Sequence, residues 1–590
     1  MTRKILFLVF FLSVFLYNST RRPTRLDWDV FGYYLYLPAQ FIYHDIKLEK
    51  KENWLNPIID KYHTTEGFYQ AYKGPKNEYV MKYSMGLAIV YSPFFFIADF
   101  IAPKLGYERD GFSPPYQYMM MICAMFFSLI GLFYLFKILE RYFNSLLVFI
   151  TVTLIVYGTN YYVMTTYDGM MPHNYVFTFY AIMLYYTIKW YDNQKIKYAV
   201  IIGLCMGIAI LIRPTSSVVA IIPALWNIGT IDALKERINL FIKNYMHLLL
   251  LGVAAFLVIL PQLLYWKSVS GHWLYYSYPG EKLDFRHPHI RQVLISYKKG
   301  WLLYTPMMCL AIAGFLLMLK KQRALFYSIF IFFLINTYII SSWDCWWYGG
   351  SFAQRPFVES YVFMAFPLAA LMNNISIKKY LFSIPIVLCA LFFLYLNLIQ
   401  TQQAMAGIIN TTYTTKEYYW KVFLKDNLPE EYKRWLEPSE NPDGKDELRT
   451  NIKYDTLYNK NYVLKDTSYK LLGNNIFSKP IYPPADLDYE IEDHFLISKI
   501  IADTTTLDST SENNIRLVVC INKKGKLYKY RSKDFSNTVL RNNKGEIQLS
   551  VLIPPQVKKN RYEIETYVYY DEKLKVKFKS LNTTIIKRKK

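Results

Sequence analysis

The sequence predicts a multispanning α-helical membrane protein with about eleven transmembrane helices and a C-terminal extracytoplasmic β-sandwich, and three observations carry that reading. Of the 590 residues, 53% are hydrophobic and 18% aromatic against 19% charged, which is too apolar for a disordered chain. Apolar runs approaching the ~20 residues that cross a bilayer recur through residues 1–404. Charge is also uneven: residues 1–404 hold 35 Lys/Arg and 20 Asp/Glu, while 405–590 hold 33 and 25 in less than half the length. A membrane domain, 1–404, is therefore expected to precede an extracytoplasmic, mainly β domain, 405–590. The net charge of +23 is spread over loops and tail, which fits a membrane surface and no nucleic-acid partner.

Taken in order, the first apolar run is Ile5 to Tyr17. It is followed by Asn18-Ser-Thr-Arg-Arg-Pro rather than a small-residue cleavage site, so it reads as an uncleaved first helix. Later spans are expected at 116–137, 145–164, 174–191, 246–266, 302–319, 324–341, 356–372 and 378–399. The stretch 198–228 is long for one span and carries Arg213-Pro214 at its middle, which predicts two short helices meeting at Arg213. Residues 84–102 are apolar but contain Pro93 and Asp99. Loop charge decides their place. If 84–102 does not cross, then Lys137, Arg141, Lys189, Lys195, Lys197, Lys235, Arg237, Lys243, Lys320, Lys321, Arg323, Lys378 and Lys379 all fall on the cytoplasmic side. The short outer turns 165–173 and 342–355 then hold only Arg355. This places the N-terminus inside and three sizeable parts outside: a first loop 18–115, a loop 267–301, and the tail. Four of the six cysteines, Cys123, Cys205, Cys309 and Cys389, lie in apolar runs without metal-ligand spacing, as small core residues do.

In the tail, 405–480 is polar, with a helix expected at Glu417 to Trp435 and loop beyond it. Runs rich in Val, Ile and Tyr follow at Phe495–Ala502, Ile515–Ile521, Glu546–Ile553, Tyr562–Tyr570 and Leu574–Phe578, with Lys523-Lys-Gly-Lys526 as a hairpin turn. A small β-sandwich is expected, with no catalytic constellation, ending in a solvated Lys587-Arg-Lys-Lys.

Chemistry is expected in the outer loops. Asp27-Trp28-Asp29 leads into an aromatic stretch containing Tyr33. A carboxylate at this depth suits a general base for a hydroxyl acceptor; Asp-x-Asp also suits Mg²⁺ or Mn²⁺ bridging phosphates, and an Asp there equally suits a helix N-cap. Asp168 and His173 share the same aqueous layer, with His173 readable either as a site residue or as a helix start. Arg213 near membrane depth marks a functional site or a structural ion pair, and its planar fork suits phosphate. The stretch Trp343-Asp344-Cys345-Trp346-Trp347-Tyr348-Gly349-Gly350, followed by Gln354-Arg355 and Glu359, combines aromatic faces, close-approach glycines and a second cation. Together these imply an anionic lipid-linked substrate and a carboxylate that activates an acceptor.

The short anchor, the acidic opening of the first loop, the helix count and the outer C-terminal domain resemble the GT-C superfamily of membrane glycosyltransferases. Within it the chain is most similar to the branch of protein O-mannosyltransferases and lipid A aminoarabinose transferases. That branch has an acid four positions before a tyrosine, matched here by Asp29 and Tyr33, with Asp27 as the fallback. Lys82-Tyr83-Ser-Met-Gly86, Ser92-Pro93-Phe94, and Gly207 to Arg213-Pro-Thr extend the resemblance over roughly residues 1–400. It implies an inverting glycosyltransferase that moves sugar from a polyprenyl-phosphate-linked donor to a protein, lipid A or glycan hydroxyl at the outer face. Asp29 would be the base, and Arg213 and Arg355 would hold the donor phosphate. Tyr33, Asp168, His173, Trp343, Trp347, Tyr348, Gln354 and Glu359 would form the acceptor and donor pocket. The resemblance implies no metal, unless Asp27 and Asp29 bind Mg²⁺ or Mn²⁺. A transporter or flippase for a lipid-linked glycan is the alternative; against it, only 198–228 is a broken helix. Abundant Lys, Ile, Asn and Tyr point to an AT-rich bacterial genome, hence an inner membrane and a periplasmic C-terminal domain.

Overall fold

The computed structural model describes residues 26–428 almost throughout and the strands between 454 and 588; most of residues 1–25 and 429–453 lie outside what it describes. The expected first membrane helix, Ile5–Tyr17, falls largely in that first group. The chain divides into two units, Met1–Thr412 with Val422–Asn427, and Tyr413–Lys421 with Leu428–Lys590.

The first unit is helical. After α1 (Trp28–Tyr34) and α2 (Gly86–Ile101) come the apolar helices α3 (Pro114–Leu139), α4 (Ser145–Gly158), α5 (Pro172–Asn193) and α6 (Ile196–Ile212). The polar-faced α7 (Ile231–Lys243) precedes α8 (Tyr245–Ser270), α9 (Met307–Lys321), α10 (Arg323–Ser341), α11 (Tyr361–Met372) and α12 (Tyr380–Met405). Five helices among the described residues are long and apolar enough to cross a membrane: Gly86–Leu105, Pro114–Leu139, Tyr245–Ser270, Arg323–Ser341 and Tyr380–Met405. Local chemistry sets the boundaries. Pro114 and Pro172 occupy the first turns of α3 and α5, where a missing N–H costs nothing. The Asn144 side chain caps α4 by accepting from Leu147 N at 2.9 Å. Gly271, at φ +84°, ends α8 in the left-handed conformation.

Pro214 stops α6, and Arg213 beyond it is extended (φ −142°, ψ 108°). The chain returns through a 3₁₀ segment, Pro214–Ala220, and a short helix, Ile221–Leu225, giving the two halves expected around Arg213. Three other expected spans are less regular than their hydropathy suggests. The run 145–164 breaks after Gly158 and resumes as Tyr161–Thr166; the run 302–319 breaks between Tyr304 and Met307; 356–372 opens as a 3₁₀ turn, Arg355–Ser360. Each break lies at the end of the bundle that carries the candidate site, where apolar composition and regular helix part company.

By length and composition α2 also qualifies as a span, against the expectation for 84–102. Its contacts show how it runs. Gly86 lies against the backbone of Leu211 and Ile212 at the end of α6, and Asp99 accepts from Tyr116 OH at 2.7 Å at the start of α3. Helices α3 and α5 run side by side in one direction, with Asn174 bonded to Ala124 and Tyr185 against Tyr134, and α6 returns antiparallel to α5. The start of α3 and the end of α6 therefore share one end of the bundle, and both ends of α2 lie there. Helix α6 meets α8 through Gly203 and Gly207: a Cβ at Gly203 would run into the Leu251 carbonyl, and one at Gly207 would lie 2.8 Å from that of Ala255. Such spacing of small residues lets backbones approach where no water drives association.

The second unit is a sandwich of two antiparallel sheets. Its strands are β3 (Tyr454–Val463), β4 (Tyr469–Leu472), β5 (Asn475–Ser478), β6 (His494–Ala502), β7 (Ile515–Lys523), β8 (Lys526–Phe535), β9 (Glu546–Ile553), β10 (Tyr562–Asp571) and β11 (Phe578–Arg588), numbered after a small first-loop hairpin of β1 (Ala71–Lys73) and β2 (Tyr79–Met81). One sheet has the order β4-β5-β10-β7-β8, the other β3-β11-β6-β9. Leu496, Leu517, Val519, Leu549, Val551, Val568 and Leu581 fill the space between them. The hairpin at Lys523–Lys526 forms as expected, with Gly525 at φ +74°. One expectation is corrected: residues 454–478 contain β3, β4 and β5 rather than loop. Of the expected solvated end, Lys587 and Arg588 extend β11, and the last two residues lie outside the described residues. Of the helix expected at 417–435, Lys416–Val422 is helical, and most of 429–435 lies outside the described residues; so does most of the run expected at Leu574–Phe578.

Candidate active site

A cavity of about 520 Å³ opens in the first unit, at the end of the bundle where α2 lies. Its walls come from parts far apart in sequence: α1, the loop around Tyr69 to Ser84, the start of α5, the break after α6, the end of α8 with the loop that follows, and the turn between α10 and α11.

Asp29 reaches it from the first turn of α1, a helix anchored by the buried Phe31, Tyr34 and Leu35. Asp27 occupies the N-cap position and makes no side-chain cap bond. Trp28 sits between them at φ +47°, outside the conformations its side chain prefers. Asp29 lines the cavity and Asp27 does not. One oxygen of Asp29 accepts from Tyr83 OH at 2.7 Å and Tyr69 OH at 2.9 Å; the other meets Arg355 Nη2 at 2.8 Å. Gly32 makes this possible, since any Cβ there would run into the Tyr83 ring. Burial pushes the Asp29 carboxyl up, but the Arg355 charge and the three hydrogen bonds outweigh it and hold the group below the ordinary carboxylate range.

Arg213 projects from the extended residue after α6, with its Nε 3.3 Å from Glu359 Oε1. His173 Nδ1 lies 2.9 Å from the same Glu359 oxygen and 3.1 Å from Arg213 Nη1. Lys82, a third cation on the wall, pairs with Glu281 at 2.6 Å and lies over the rings of Tyr69 and Tyr278. The buried Lys299 donates to the Ser351 carbonyl; burial, reinforced by Arg355, holds its ammonium well below the usual range. Burial likewise lifts Asp168 to about 6, against the pull of Arg355 and Lys299.

Of the residues singled out from the sequence, Asp29, Tyr33, His173, Arg213, Trp343, Trp347, Tyr348 and Arg355 meet on this one cavity. Asp27, Asp168, Gln354 and Glu359 are not on its wall: Glu359 stands behind Arg213, and Gln354 turns inward to donate to the Trp346 carbonyl at 3.0 Å. Tyr69, Lys82 and Tyr83 complete the surroundings of Asp29 and Arg355. Only the Lys82-Tyr83 resemblance signalled two of them, and Tyr69 carries no sequence signal. Among the described residues no three His, Cys, Asp or Glu side chains gather as a metal site would require.

A carboxylate fixed by hydrogen bonds, three cations and aromatic rings in tilted and edge-on contact in a bundle-end cavity suit transfer chemistry on an anionic substrate. Residues 116–266, from α3 to α8, match the family model described as dolichyl-phosphate-mannose-protein mannosyltransferase. With the motifs and the helical fold, this match supports a GT-C superfamily membrane glycosyltransferase. Among solved structures, the chain is similar to ArnT from Cupriavidus metallidurans in the apo state, at 10% identity over 71% of this chain and 75% of that one, TM-score 0.37. It is also similar to arabinosyltransferase EmbB from Mycobacterium smegmatis, at 10% identity over 99% of this chain and 64% of that one, TM-score 0.35. Likeness at these scores says nothing about this cavity. A search of the curated proteins found no match.

Proposed function

We propose that the chain transfers a sugar from a polyprenyl-phosphate-linked donor to a hydroxyl acceptor at the outer face of the membrane, with inversion at the anomeric carbon. The observation that carries this is Asp29 on the cavity wall with Arg355, Arg213 and Lys82 around the same space. The acceptor oxygen attacks the anomeric carbon as the bond from that carbon to the phosphate oxygen breaks. Its proton passes to Asp29, and polyprenyl phosphate departs with the bonding pair, its growing charge met by the arginines. Trp343, Trp347 and Tyr348 offer aromatic surface to sugar and isoprenoid. The acceptor is a protein, lipid A or glycan hydroxyl.

The reading is metal-free. Both Asp29 oxygens already serve a guanidinium or phenols, and Asp27 is off the wall, so the pair does not offer the converging oxygens that Mg²⁺ or Mn²⁺ needs. On this reading the helical unit belongs to a bacterial inner membrane and the sandwich to the periplasm.

The test is transfer of labelled sugar from a panel of polyprenyl phosphate sugars, in membranes carrying wild type or Asp29→Asn, with and without EDTA. Chelator-resistant transfer that is lost in Asp29→Asn is the expected result. Labelled lipid crossing the bilayer with no donor consumed would replace the transferase with a flippase.

A further inference from the structure

The two arginines of the cavity are held in unlike ways. Arg213 has its counter-ion behind it: Glu359 is buried, off the wall, and shared with His173. Its counter-ion is therefore not a wall carboxylate. Arg355 instead pairs with Asp29 itself, on the wall. Its other terminal nitrogen, Nη1, faces the Met171 sulfur 4.0 Å away, a weak acceptor. On the Nη2 side stands Gly349, at φ +71° and without a side chain; a Cβ there would lie 3.7 Å from Nη2.

A carboxylate clamped by a guanidinium is a poor base, because the proton it must take would have to displace a cation. A phosphate entering the cavity offers Arg355 a rival anion whose oxygens match its fork. Tyr69 and Tyr83 hold Asp29 through its other oxygen, so the carboxylate keeps its place when the guanidinium leaves.

We infer that Arg355 is a donor-sensing latch: it masks Asp29 in the empty cavity and moves to the phosphate of the lipid-linked donor, unmasking the base, while Arg213 stays on Glu359. This rests on the glycosyltransferase reading above. It makes donor binding precede acceptor activation, and it leaves the base silent in a cavity that holds only acceptor or water.

The probe is undecaprenyl phosphate, binding to the purified full-length chain as wild type, Asp29→Asn, Arg355→Gln and the double variant. Because Asp29 competes with phosphate for Arg355, Asp29→Asn should tighten binding at least tenfold and Arg355→Gln should weaken it. The gain from Asp29→Asn should vanish in the Arg355→Gln background. An equal gain in both backgrounds would mean simple repulsion between Asp29 and phosphate, and would overturn the latch. Should Arg355→Gln fail to fold, a cryo-EM structure of wild type with undecaprenyl phosphate decides: the Asp29 to Arg355 distance opens past about 4 Å, the reach of an ion pair, or the latch is wrong. A closed bridge beside bound lipid removes the latch alone. Failure of the lipid to bind wild type removes the latch and the donor assignment together.

Discussion

Tyr83 and Tyr69 hold Asp29 in place and, behind Arg355, help to keep its carboxyl below the ordinary range. Each donates to the ionised carboxylate, and a hydrogen bond to a charged group contributes about 1.5–3 kcal/mol. A pKa unit corresponds to about 1.4 kcal/mol. Asp29 is held below its ordinary range by Arg355, Tyr83 and Tyr69 against the effect of burial, so removing one donor raises its pKa. Tyr83→Phe should therefore move the acid limb of the transfer rate upward by about one pH unit, measured as the pH of half-maximal rate at saturating donor. The same sign governs stability. The contribution of Asp29 is present above the ordinary carboxylate range and lost as pH falls through its lowered value, and Tyr83→Phe diminishes it. Asp29, Arg213 and Arg355 were legible in the sequence because charges flanking apolar runs are costly and few. Tyr69 was not, because one tyrosine among 55 carries no mark of which phenol turns toward a carboxylate 40 residues away. Nor does sequence tell which side of a turn a residue faces, which is why Glu359 and Gln354 turn away from the cavity that Trp347 and Tyr348 line.

At the scale of elements, the α6 and α8 pair holds Arg213 in place, and its seam depends on the glycines of α6. Gly207 has the Ala255 carbonyl 2.8 Å from where a Cβ would be, whereas Gly252, on the facing helix, has nothing within 4 Å. Gly207→Val should lower the melting temperature sharply, by the several degrees that about 1–3 kcal/mol of overpacking implies. Gly252→Ala should leave it unchanged or raise it slightly, through helix propensity of up to about 1 kcal/mol. Equal losses in both would place the contact elsewhere. The break at Arg213 was legible because proline disfavours the helical conformation of the residue before it and an arginine there adds the cost of a charge at membrane depth. Strands β3, β5 and β11 were not, because Asn, Lys and Thr dilute their alternation and they pair with strands far away in the chain, β3 with β11 and β5 with β10; β4, four residues long and paired only with its neighbour β5, is too short to show a pattern.

Across the whole molecule, two units have separate cores, one of apolar helices and one of interleaved strand residues. Charge density along the chain announced that division, since a membrane excludes charge and a solvated sandwich does not. Leu549 is 1% exposed in the sandwich core, and Leu→Ala at such a site costs about 2–5 kcal/mol. Leu549→Ala should shift one of two thermal transitions in detergent-purified protein and leave the transition of the helical unit in place. Movement of both together would show one cooperative unit. The central claim concerns the first unit, that Asp29 takes the acceptor's proton. Its most direct measurement is the single-turnover rate of acceptor-dependent polyprenyl phosphate release, compared between wild type and Asp29→Asn at equal bound donor. A fall of about 10² to 10⁴-fold, the contribution of a general base, is the predicted result; a rate within about tenfold of wild type, short of that range, would contradict it.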